Sequence, residues 1–88
     1  MESPFGERRL ELSYPCSWCY KIIGRDEVLM RSAVAEIVGD AEHTLRFSNT
    51  SRTGKYRSLE LELTVRDEAH RLDTFEALKN HSAVEFLL

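Results

Sequence analysis

The clearest periodicity in the chain runs from Arg57 to Val65, where Leu59, Leu61, Leu63 and Val65 alternate with Ser58, Glu60, Glu62 and Thr64. Period two puts each set on its own face of a strand, so this strand buries one face and wets the other. A helical reading would scatter the leucines round the axis. Trp18, Tyr20 and Ile22 repeat the alternation in residue types that favour strands, and Gly24 ends the run. His43, Leu45 and Phe47 share one parity in a shorter run that stops at Asn49, and Val84, Phe86 and Leu88 make a last short strand.

Between these strands the spacing changes to that of helices. Over residues 26–38, Met30, Ala33, Val34 and Ile37 follow the three-and-four rule, with Asp26 and Glu27 in the first turn and Gly39 after the last. Asp67 and Glu68 open a second helix whose predicted apolar stripe is Ala69, Leu72, Phe75 and Leu78, with Lys79, Asn80 and His81 suited to its end. The turn-rich stretch 49–55 is too short for a helix, so the strands on either side should form a hairpin. The order βαββαβ predicts an α+β, ferredoxin-like sandwich: a four-stranded antiparallel sheet in the order 4-1-3-2 with two helices on one face. The other face should present Lys21, Glu60, Glu62 and Glu85. Residues 1–13, with Pro4, Gly6 and a mixed-charge run, read as a flexible N-terminal arm, and residues 14–88 as one domain.

Composition narrows the function classes. At 88 residues there is room for one core. A formal charge of −3 gives no global attraction to nucleic acid or anionic lipid. The start lacks the apolar segment of a secretory signal, and no apolar run approaches the roughly 18 residues of a membrane span, so a cytoplasmic protein without membrane association is expected.

The segment Tyr14-Pro15-Cys16-Ser17-Trp18-Cys19-Tyr20-Lys21-Ile22-Ile23-Gly24 resembles the first-strand signature of the YbeD-like bacterial proteins, small proteins of unknown function also called putative lipoate regulatory proteins. Ser51, Gly54-Lys55-Tyr56 and Ser58, leading into an alternating strand, are similar to that family's hairpin. The resemblance covers residues 14–88 and implies a ferredoxin-like fold close to the ACT regulatory domains, without known catalytic residues. ACT domains commonly bind amino acids near the turn after the first strand, which would make Gly24 a ligand-site position. Cys19 departs from the family pattern.

Candidate chemistry is sparse. Cys16 and Cys19 have redox or zinc-site spacing, but they precede a strand instead of opening a helix, and alternation sends them to opposite faces. No nucleophile elbow or P-loop is present, and His43, His70 and His81 have no partners at a recognisable spacing. The expectation is no enzyme, no cofactor and no metal. Between His43 and Leu59 no acid occurs, yet Arg46, Arg52, Lys55 and Arg57 stand among hydroxyl residues. Such a hairpin suits a carboxylate, a phosphate or an acidic protein surface, and it equally suits a solvated tip whose cations keep strand edges apart.

Two functions follow as expectations. One is a regulatory module that senses a small anionic or zwitterionic metabolite at Gly24 or at the hairpin. The other is an adaptor that binds an unknown protein partner through the hairpin and sheet edge. Pairing of two copies across the charged sheet face is an open alternative, whereas acids in place of an aromatic platform on that face argue against nucleic acid.

Overall fold

A computed structural model describes residues 12–88. The elements are β1 (Cys16–Gly24), α1 (Glu27–Val38), β2 (His43–Thr50), β3 (Arg57–Val65), α2 (Glu68–Asn80) and β4 (Phe86–Leu87). The sheet runs β2-β3-β1-β4, which is the predicted order read from its other edge. All pairings are antiparallel, and β1 and β3 meet along their full lengths from Cys16 opposite Val65 to Gly24 opposite Arg57. The N-terminal arm expected over 1–13 lies, but for its last two residues, outside the described part.

The alternating rows converge as their parity requires. Tyr20, Ile22, Leu59, Leu61, Leu63 and Val65 are all at most 1 % exposed and pack beneath Met30 and Val34 of α1 and Leu78 of α2. At about 1.5–3 kcal/mol per buried aliphatic or aromatic side chain, this layer dominates the folding energy. Each helix opens on an aspartate cap: Asp26 Oδ1 accepts from Leu29 N at 3.1 Å, and Asp67 Oδ1 accepts from His70 N at 2.7 Å. α1 closes at Gly39, whose positive φ of 58° favours glycine.

The stripe on α2 differs from the predicted one. Ala69 and Leu72 are exposed, and the buried residues are Thr74 and Leu78, with Phe75 packed beside them. Four residues spaced by three wind about 60° per step round a helix of 3.6 residues per turn, so they cannot share one face. The seated face follows 71, 74, 75 and 78, and it accepts Thr74 because that hydroxyl donates to His70 O at 2.8 Å.

The parity of the last strand is also reversed. Leu87 stands opposite Ile22 and packs on the core, whereas Phe86 stands opposite Ile23 and is 54 % exposed on the face without helices. The chain between Val84 and Phe86 does not keep strict alternation, since Glu85 N already donates to Ile23 O before the paired residues begin.

Candidate functional site

The β2-β3 connection is closed by its own polar groups. Ser51 N donates to Tyr56 O at 2.8 Å, Tyr56 N donates to Ser51 Oγ at 3.0 Å, and Gly54 N donates to Ser51 O at 2.9 Å, with Gly54 at a φ of 77°. This closure delivers Tyr56 to the corner of the sheet where β1 ends. There its ring meets Phe86 edge-on, with centroids 5.7 Å apart and planes at 69°. Lys55 Nζ lies 5.4 Å and the Arg25 guanidinium 5.6 Å from the same centroid. Two cations therefore lie against the Tyr56 ring of one aromatic pair, and Glu85, 4.0 Å from Arg25, is a nearby counter-charge.

The predicted binding residues distribute unevenly about this corner. Lys55 is part of it. Arg57 faces Gly24 across the β1-β3 ladder and, with Arg25, Asp26, Glu27 and Val28, lines a shallow recess of about 320 Å³ on the helix side. Arg52 is exposed in the connection. Arg46 lies farther along the sheet and is engaged by Glu60, its Nη2 and Nε donating to Oε1 at 2.6 and 3.1 Å. That pairing holds the Glu60 carboxyl below its usual pKa and raises that of Arg46. Lys21 stands opposite Glu60 on the neighbouring strand, as the charge pattern predicts, but Arg46 makes the contact.

Gly24 is buried and its bare side is filled. A Cβ there would fall 2.5 Å from Ala83 O and 2.8 Å from Met30 Sδ, so the glycine accommodates the protein's own packing. The cysteines point as alternation requires: Cys16 packs on the core, Cys19 is exposed, and both are free thiols. Among the described residues no three of His, Cys, Asp and Glu are grouped to hold a metal ion, and no helix is long and apolar enough to cross a membrane.

Two features escaped sequence reading. Arg25 is a lone cation ahead of two acids in the sequence, and only the closed connection brings Tyr56 within its reach. The second is a groove at the other end of β1, about 350 Å³ in volume, lined by Trp18, Tyr20, Leu72, Phe75 and Leu88 with Arg71 at its side. Its α2 wall combines Leu72 and Phe75 of the predicted stripe with Arg71, which apolar periodicity does not select.

A family model described as "Protein of unknown function (DUF493)" matches residues 10–88. The chain belongs to this family. Among DUF493-related proteins, the uncharacterized protein Cj0253 of Campylobacter jejuni is 38% identical over 69 residues, spanning 78% of this chain and 79% of its own. A UPF0250 protein of Hahella chejuensis is 33% identical over 84 residues, spanning 89% and 90%. The resemblance to the YbeD-like proteins is thereby borne out. Two solution structures of HP0495 from Helicobacter pylori share the fold: one has a TM-score of 0.81 at 22% identity over 100% of this chain and 97% of its own, the other 0.64 at 24% over 98% and 100%. These relatives carry no stated activity, and none of them points to an enzyme or away from one.

Proposed function

We propose that this DUF493 member is a non-catalytic cytoplasmic binding domain that takes an acidic segment of a partner protein on the corner formed by Arg25, Lys55, Tyr56 and Phe86. The supporting observation is the exposure of Phe86 against Tyr56, with two cations, Arg25 and Lys55, 5.6 and 5.4 Å from the Tyr56 ring centroid. A single exposed apolar residue is ordinary, whereas an aromatic pair flanked by Arg and Lys has the composition of interface hot spots. Aromatic area supplies the desolvation energy, and the cations select an acidic segment and speed its approach.

The corner favours a protein over the other ligands considered. A small metabolite needs enclosure, and here the recess is shallow while the space at Gly24 is filled. Bases stack on flat, exposed ring faces, whereas Tyr56 and Phe86 meet edge to face and Tyr56 carries cations on its surface.

A photo-crosslinking residue placed at Phe86 in the bacterial cell, with one at Glu36 as control, tests this reading. The expected result is an adduct with an acidic protein from position 86 alone, weakened by salt and lost in Lys55→Glu. Equal yields from both positions, an adduct insensitive to Lys55→Glu, or an adduct consisting of a second copy of this chain overturns it.

A further inference from the structure

The groove beside the first half of β1 has a different chemistry from the corner. β4 reaches β1 only from Lys21 to Ile23, where Lys21 and Leu88 exchange hydrogen bonds of 3.0 and 2.9 Å, and next to Trp18 the described residues leave that side of the strand open. Trp18 and Tyr20 of β1, Leu72 and Phe75 of α2, and Leu88 line the groove. The resulting walls are almost wholly apolar. The volume of about 350 Å³ falls within the ~300–1,000 Å³ usual for small-molecule sites.

Into this apolar groove the fold places one charge. Arg71 presents only 17% of its side chain to solvent. Its guanidinium lies 4.6 Å from the Trp18 ring centroid, and its Nε donates to the Tyr14 hydroxyl at 3.1 Å. Those two contacts orient the fork without using the Nη groups. Among the described residues the nearest acid is Glu68, with Oε2 3.9 Å from Nη2, beyond a hydrogen bond and on a side chain 68% exposed. A guanidinium over an indole, whose Nη groups make no hydrogen bond among the described residues and lie beside an apolar cavity, is preorganised for a carboxylate attached to an apolar body.

We propose that this groove binds a small amphipathic carboxylic acid, with the carboxylate paired to Arg71 Nη and the aromatic or aliphatic body between Trp18, Leu72 and Phe75. Charge complementarity selects this occupant. An uncharged apolar molecule leaves Arg71 unused, and a dianion brings a second charge into walls that hold no second cation among the described residues. The site is separate from the corner proposed for the partner protein, so either assignment can fail alone.

Trp18 is the single tryptophan of the chain, so its fluorescence reports the groove directly. Titration of the full-length protein with phenylbutanoate should give a saturable change in Trp18 emission, and the neutral phenylbutanamide should bind at least about tenfold more weakly, as expected for loss of one charge-assisted pair. Arg71→Gln should abolish that preference for the acid. Because Arg71 also supports Tyr14 and Trp18, a second variant is needed at a position whose loss leaves the fold intact. Leu72 is 46% exposed, so Leu72→Glu should retain the wild-type Tm while weakening phenylbutanoate binding by about tenfold through like-charge repulsion. Equal binding of acid and amide, no emission change with either, or an emission change caused by dilution of a dimer overturns the proposal.

Discussion

The carbonyl oxygen of Ala83 approaches Gly24 so closely that a methyl group on Gly24 would lie 2.5 Å from it. The end of β1 and the segment leading to β4 are thus in contact through backbone, and the same methyl would also meet Met30 Sδ at 2.8 Å. Met30 can move, but a backbone carbonyl can move only if Val84 and β4 shift with it. Gly24→Ala should therefore destabilise by about 1–3 kcal/mol, the usual range for overpacking. Denaturant unfolding checks this, and a wild-type midpoint would show that the contact is slack.

Tyr20 should make stability fall at alkaline pH. Its ring is 1% exposed, and its hydroxyl donates to Arg71 O at 2.7 Å. Burial pushes its pKa above the ordinary 10.0. The unfolded state therefore ionises first. The stabilising contribution is complete below pH about 10 and is lost as pH rises through the raised folded value. Tyr20→Phe should cost about 1 kcal/mol at neutral pH through the lost hydrogen bond. Its stability should then fall less steeply than that of the wild type above pH about 10.

Arg46 and Glu60 predict an effect at the acid end. Hydrogen bonding by Arg46 lowers the Glu60 pKa from 4.5. This contribution is present above the unfolded pKa and disappears as pH falls through the lowered folded value. Arg46→Ala should bring the Glu60 carboxyl back towards its ordinary pKa, as followed by its NMR titration. An unchanged titration would assign the shift to Lys21 or Ser48, which also favour the ionised form.

The two aspartate caps should behave alike despite different helices. Asp26→Ala and Asp67→Ala each remove an acceptor from a first-turn amide and should each cost about 1 kcal/mol. Asp67→Asn should recover most of the loss, because an amide oxygen can accept the same bond. Thermal melts of the four proteins, wild type included, check the series, and equal losses for Asn and Ala would mean that charge, not capping, is what matters.

The strands and α1 were legible because each lies against one surface. A leucine row at period two has only one way to bury itself, and Met30, Val34 and their neighbours match a single stripe at helical spacing. α2 misled because the face that seats on the sheet includes Thr74 and the stem of Arg71, which no count of apolar residues selects. Phe86 misled for a related reason: three apolar residues at even spacing looked like one buried face, but the irregular chain before β4 turns Leu87 inward and Phe86 outward.

The basic patch shows the limit of one-dimensional charge. Arg46, Arg52, Lys55 and Arg57 are neighbours in sequence, yet strand pairing gives Arg46 to Glu60 and Arg57 to the helix side, and Lys55 alone of the four meets Tyr56 at the corner, beside Arg25 and Phe86 from distant elements. Periodicity and turn chemistry are local, so the sequence by itself determined the element order, the central strands and the sheet topology. Which side chains meet at Tyr56 and which line the groove around Trp18 depended on strand register and on the rotation of α2 about its axis. Those are set by packing between segments far apart in the chain, and only the tertiary structure decided them.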